Sequence, residues 1–447
     1  MTDREMPTDR RRVLILATYT AIVCGFTTAG NALAANSWCS EASHTVQPGE
    51  SNAISKPCWK RGAKCTLRNA IHSANECSNP QRLRLVDNAT YVFDKADSDW
   101  PDDGKSAQRI VEPVRTGIII EGNGATLSVA KGVTDLWYFE VEAGASLEIR
   151  DLTIQGSERR HCRLRGGASA LLNHGRAVLR NVQLIGHNTC SAAGAISSDG
   201  DLDIDGSVFR NNRVNHRSIG AAAISAGYPD GRESIARLQV TDTLFEANWS
   251  VGDLAGASII NCYAVPCKLI DSTVSGNTSN RSTIYIGSRL GDNAQLLMIN
   301  TTVSDNGAAH TGGIEQLNGR VTIENSTFAG NVASVASVIS NECCARIQVL
   351  NSAFSAPDGP APVCKVHAEA FDVPRSGMAT DASCGSLQTV EDLQLEPLEF
   401  NGGATPTRLP RATSPLIDAG TVCGDFDQRG VRRPLGAACD VGSVEAR

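Results

Sequence analysis

One plan recurs along the middle of the chain and limits its fold sharply. The segments 147–156, 178–187, 202–212, 238–248, 269–277, 297–306, 321–331 and 347–354 each read as an alternating strand, a polar corner and a second short strand, usually closed by Asn. The corners are Asp151, Asn181, Gly206, Asp242, Asp271, Asn300, Asn325 and Asn351, spaced on average by about 29 residues, which is a solenoid period. Alternation with a period of two argues for strands, and several short strands within such a repeat make one coil of a β-solenoid. The longest gap contains a hydrophilic insertion, Tyr228 to Ser234, with turn signals.

Ile, Val, Leu and Phe face inward in this reading, and Asp, Thr, Ser and Gln face solvent. Six residues after most corners stand His187, Asn212, Asn248, Asn277, Asn306 and Asn331. Stacking brings these into register, where amides bond one another and the corner backbone. Asn248, Asn277, Asn300 and Asn325 also lie in Asn-X-Ser/Thr triplets, but a structural ladder is the preferred reading. Small residues such as Gly194, Ala222 and Gly312 fit coils that approach closely. Two earlier segments, 83–93 and 117–127, join the same stack. Gly122-Asn-Gly124 lacks the third Gly and the helix of a nucleotide motif, so it reads as a turn. Roughly ten coils at about 4.8 Å each give a rod of about 50 Å.

Composition agrees. Among 447 residues there are 41 Gly but only 10 Phe, 6 Tyr and 5 Trp, too little aromatic bulk for a thick globular core. A net charge of −7 argues against general binding to nucleic acid or anionic membrane. Arg10, Arg11 and Arg12 precede an apolar run from Val13 to about Phe26, and Ala32-Leu-Ala34 offers a cleavage site, so 1–34 reads as an export signal. The run is short for a membrane span. It also resembles a twin-arginine signal, with Asp9 where Ser or Thr is usual, and the choice between routes stays open. Cleavage removes four Arg and three acids, leaving a net charge of −8.

Of 15 Cys, Cys24 lies in that segment, and the even remainder suits disulfides in an oxidising compartment. Cys162 and Cys190 are about one coil apart; Cys262 and Cys267, Cys364 and Cys384, and Cys423 and Cys439 bracket short segments. No C-x-x-C spacing favours metal instead. Cys343 and Cys344 read as pairing with different partners. Thr66 is a helix N-cap signal, with Leu67, Ala70, Ile71 and Ala74 on one face, so a short helix is expected across the first coil.

Here the chain resembles a known group. Cys65-Thr-Leu-Arg-Asn-Ala-Ile71 is similar to the Cys-Ser-Leu-Arg-Glu-Ala element that opens many exported bacterial right-handed parallel β-helix proteins, with Asn69 in place of Glu. Asn401-Gly-Gly-Ala-Thr-Pro-Thr407, Ser414-Pro-Leu-Ile-Asp-Ala-Gly420, Asp427-Gln-Arg-Gly-Val-Arg-Arg-Pro434 and Cys439-Asp-Val-Gly-Ser-Val-Glu445 resemble the choice-of-anchor domain that ends such proteins. The repeats look like those of polymorphic outer-membrane proteins. The resemblance implies a right-handed all-β parallel β-helix with a helical cap and a small C-terminal domain, at a surface or extracellular site. The expected division is signal 1–34, cap region 35–82, rod 83–356 and C-terminal region 357–447. A sorting tail often follows this domain in the family; the chain stops at Arg447, so release or periplasmic retention is expected over covalent anchoring.

Two constellations carry candidate chemistry. Arg159, Arg160, His161, Arg163 and Arg165 follow one ladder position, and Arg213, His216 and Arg217 follow another two coils on, with His187 between them. Stacking gathers these on one flank, where guanidinium groups could hold an anionic polysaccharide or cell-surface glycan. Solubilising loops are the plainer reading. Asp199, Asp201, Asp203 and Asp205 alternate along one strand, where Ca²⁺ could bind, although a solvated outer face is favoured. No catalytic residue set emerges. An exported rod presenting a binding face for glycans or cell-surface partners is the expected function, ahead of a polysaccharide lyase for an acidic glycan and a structural envelope component. No nucleic-acid partner, no membrane span in the mature chain and no cofactor beyond Ca²⁺ are expected.

Overall fold

A computed structural model describes residues 37–49, 57–60, 64–94, 108–134, 136–156, 169–189, 193–215, 220–227, 236–251, 257–287, 294–342, 345–357, 359–372, 376–421 and 423–446. The architecture is an all-β parallel solenoid. Among the described residues every ladder between its strands is parallel, and strands pair with their counterparts one coil on, as Asp201–Asp205 does with Arg176–Ile185 and with Leu238–Thr241. Sheets of twenty, nine and five strands form the sides among the described residues, and from Asp201 to Phe354 the largest carries two strands per coil. Strands at Cys364–Lys365, Gly377–Ala379 and Gln388–Thr389 continue these sheets past the last sequence repeat.

The corner residues turn the chain because their backbone is left-handed, between two strands in most coils and within one continuous strand at Asn123, Asp151 and Asn181. Asn88, Asn123, Asp151, Asn181, Gly206, Asp242, Asp271, Asn300, Asn325 and Asn351 all have φ between 45° and 57°. Asn and Asp tolerate this region best after Gly, which explains the composition of the column. A second left-handed corner falls five residues later, at Gly186, Asn211, Ala247, Gly276, Asp305 and Gly330.

The interior is a set of register-matched stacks. Leu179, Ile204, Val240, Leu269, Met298 and Ile323 form one column, all buried. Phe209 stacks on Phe245 at 4.8 Å, and Phe328 meets Phe354 edge-on at 5.2 Å. Close approach demands small residues: a Cβ on Gly194 would lie 1.9 Å from the Ala222 carbonyl oxygen.

The Asn ladder forms as expected. Asn212, Asn248, Asn277, Asn306 and Asn331 are buried, each side-chain oxygen accepting from the coil before and each amide nitrogen donating to a core carbonyl. A hydroxyl ladder runs beside it. The backbone N–H groups of Val182, Ser207, Thr243 and Thr301 donate to Ser207, Thr243, Ser272 and Ser326 hydroxyls of the following coil. Asn248, Asn277, Asn300 and Asn325, the glycosylation triplets, are all buried.

At the N-terminal end, the helix α1 (Leu67–Asn75) begins at Thr66, whose side chain accepts from the Asn69 N–H, and buries Leu67, Ala70, Ile71 and Ala74. Thr116 and Asn75 fasten it to the first coils. Five disulfides are described: Cys39–Cys77, Cys58–Cys65, Cys262–Cys267, Cys364–Cys384 and Cys423–Cys439. The last three are pairs raised by spacing; Cys162, Cys190, Cys343 and Cys344 lie outside the described residues.

The C-terminal segment turns back along the rod. Its Gln428 amide nitrogen donates to the Ser272 carbonyl and the Thr273 hydroxyl, its Gln428 carbonyl accepts from Thr302, and Ser443 reaches Thr302 and Thr327. Arg408 grips Asp305 through both carboxylate oxygens at 2.7 and 2.8 Å. Thr273, Thr302 and Thr327, which alternate outward, are consequently buried.

Candidate functional site

The outer faces of the strands Ser146–Gln155, Arg176–Ile185 and Asp201–Asp205 are charged and largely paired with one another. Asp203 lies 3.2 Å from Arg176 and 3.4 Å from Arg237, Asp205 pairs with Arg180, and Asp199 is 2.6 Å from His174. Among the described residues, no group of three or more His, Cys, Asp or Glu converges on a metal-sized site. Asp199, Asp201 and Asp203 therefore do not form the cage that the metal reading needs, because arginines from the adjacent coils hold Asp203 and His174 holds Asp199.

The basic flank divides. Arg159, Arg160, His161, Arg163, Arg165, His216 and Arg217 lie outside the described residues. His187 is not on the surface: it is fully buried, with Nδ1 2.9 Å from the Ser169 hydroxyl, Nε2 3.1 Å from the Ile154 carbonyl oxygen, and Tyr138 edge-on at 6.2 Å. Its backbone N–H donates to Asn212, so it begins the Asn ladder instead of belonging to a binding patch. The ladder position faces inward from His187 through Asn331, and one His in an Asn column obeys the same geometry.

Burial pushes the His187 imidazole down to about 4. A depressed folded-state value stabilises the rod fully above the ordinary His range and loses that contribution as pH falls from about 6.5 towards 4, by up to about 3 kcal/mol. His187→Asn, which matches the ladder, is expected to flatten that part of the profile in guanidinium unfolding at stepped pH. Superimposable profiles for wild type and variant would refute this role.

Arg213 does reach the outer surface. It lies in register with Trp249 of the next coil, with its guanidinium carbon 3.5 Å from the ring centroid.

The corner column supplies a larger feature. Towards the C-terminal end it is covered: the Asn300 and Asn351 side chains donate to the carbonyl oxygens of Phe426 and Asp440. Towards the N-terminal end it is open, in a cleft of about 460 Å³ beside Asn88, Asn123, Asp151 and Asn181. Between the two lies a cleft of about 600 Å³, with Asp205, Asp242 and Asp271 on the rod side and Gly402, Phe426 and Arg429 on the segment side. Phe426 is 54 % exposed.

Electrostatics set the two corner acids apart. Burial raises the Asp271 carboxyl to about 6, aided by neighbouring Asp242 and Asp427 and opposed by the Asn300 amide 3.0 Å away. Burial, then Asp205, also raises Asp242. Asp427 is different: it is buried and spent on Arg429, at 2.6 Å, and on backbone N–H groups. Sequence reading used Asp242 and Asp271 only as repeat markers, and it missed Trp249 and Phe426. Acids at successive corners were the available signal for the first pair; a partner more than 150 residues away hid the cleft wall.

No family model and no curated protein matches the chain. Among solved structures, the crystal structure of pectate lyase Pel9A is similar at 12 % identity with a TM-score of 0.47, covering 92 % of this chain and 98 % of that one.

Proposed function

We propose that the protein is an exported β-solenoid that binds glycans along its corner groove. The observation that carries this reading is the cleft of about 600 Å³, where the Asp242 and Asp271 carboxyls sit across from an exposed Phe426. Carboxyl acceptors suit sugar hydroxyls, an aromatic ring suits the C–H face of a pyranose, and a concave site with a few convergent polar groups is the usual form of a ligand site. The five disulfides support export, since such bonds persist in oxidising compartments. The choice-of-anchor resemblance points the same way.

A hydrolytic reading has one observation in its favour: Asp271 holds its proton up to about pH 6, one coil from Asp242, and hydrolysis needs a paired acid and carboxylate. Lysis of an acidic glycan with Ca²⁺ gains nothing from Asp203 and Asp205, which are engaged by arginines.

Affinity electrophoresis through gels containing neutral and anionic polysaccharides tests the groove. Wild-type protein is expected to be retarded by at least one polymer, and Phe426→Ala with Asp242→Ala to lose most of that retardation. Unchanged retardation of the double variant would remove the groove as the site.

A further inference from the structure

Arginines on the outer faces of the coils meet carboxylates: Arg176 and Arg237 share Asp203, Arg180 bridges Glu148 and Asp205, and Arg210 pairs with Glu246 at 2.7 Å. Arg213, three residues beyond Arg210 and past the second left-handed corner, meets none among the described residues. Its Nε is buried and makes no hydrogen bond. The Trp249 ring beneath the guanidinium attracts its charge but leaves the N–H donors without a hydrogen-bond partner among the described residues. The same outward column continues with Asn188 in the coil before and Thr278 in the coil after Trp249, both accessible and polar.

We propose that Arg213 and Trp249 form a subsite for an anionic group, a carboxylate or sulfate, on the glycan that the rod binds. This rests on the glycan-binding reading above. Arg213 and Trp249 lie seven residues after Gly206 and Asp242, so the subsite belongs to the two coils that line the cleft and sits on the neighbouring side of the rod. A planar guanidinium over an aromatic ring presents two parallel donors to a carboxylate or sulfate, and the acids of the cleft repel the same group there. A chain carrying acidic groups would therefore place them at Arg213 and its neutral hydroxyls in the groove.

Calorimetric titration of the full chain with alginate, dextran sulfate and unmodified dextran tests this. Alginate and dextran sulfate report the carboxylate and the sulfate separately, and dextran is the neutral control for the latter. Arg213→Ala is expected to weaken binding to at least one anionic polymer by roughly ten- to a hundredfold and to leave dextran unchanged. Arg213→Lys, which keeps the charge but not the planar fork, is expected to recover only part of the loss. Anionic affinities within twofold of wild type for Arg213→Ala would overturn the subsite. Wild-type binding to dextran but to neither anionic polymer would overturn the subsite and leave the glycan reading standing, whereas binding to none of the three would overturn both.

Discussion

Asn277→Ala is expected to lower the unfolding free energy by roughly 2–6 kcal/mol, because it orphans two buried backbone groups at once. The Asn277 side chain accepts from the Asn248 backbone N–H at 2.8 Å and from the Asn248 amide at 2.9 Å. It donates to the Phe245 carbonyl at 3.0 Å and to the Asn306 side chain at 2.9 Å. Alanine supplies neither donor nor acceptor, and Asn277 is 1 % exposed, so water cannot replace them. Asn277→Asp keeps the two acceptor contacts, loses both donors and buries a charge, so it is expected to be no milder at pH 7. Guanidinium unfolding followed by circular dichroism checks this, with exposed Thr278→Ala as a control expected within about 0.5 kcal/mol of wild type. A loss below about 0.5 kcal/mol for Asn277→Ala would mean that the ladder is not what holds adjacent coils together.

Glu445→Ala is expected to release the C-terminal segment while the first coils stay folded. Arg433 and Glu445 are paired at 2.8 Å with side-chain exposures of 0 % and 1 %. The carboxylate also accepts from the backbone N–H groups of Asp440 and Leu435. Removing one member of a buried ion pair costs roughly 3–5 kcal/mol, since the remaining charge is left without compensation. That cost falls on the segment, which is joined to the rod largely by hydrogen bonds from Gln428, Ser443 and Arg408, with a small apolar cluster of Leu393, Leu416 and Val441 against Ala353 and Met378. Hydrogen exchange is therefore expected to speed up at Ser443, Val441 and Gln428, whose N–H groups are bonded in the docked segment, and to stay slow at Leu179 and Ile204. Uniform acceleration along the chain would show that segment and rod unfold as one unit.

These features were unequally visible in the amino-acid sequence. The corner column and the Asn ladder could be read directly, because a left-handed turn and an inward amide each demand a narrow choice of residue once per coil. Three disulfide pairs followed from short spacings. The hydroxyl ladder escaped notice because Ser and Thr at a strand start, such as Ser207 and Thr243, look like ordinary surface positions. His187 reads from the sequence both as a member of the ladder column and as part of the basic flank, and its buried side chain fits the first alone. Thr273, Thr302 and Thr327 alternate outward like solvated residues, and only the distant Gln428 and Ser443 reveal that they are covered. Alternation reports which side of a strand a residue takes; it does not report what lies beyond that side. The motif residues Asp427, Arg429, Arg433, Asp440 and Glu445 carried the family resemblance in the sequence, and in the structure they bond to one another and to backbone within the segment.

The most direct test of a glycan-binding rod mixes the purified protein with soluble neutral, uronic and sulfated polysaccharides at pH 7 and follows both complex formation and new chain ends. Retention of at least one polymer without new reducing or unsaturated ends is the predicted result. Accumulation of either kind of end, or retention of none of the polymers, would contradict it.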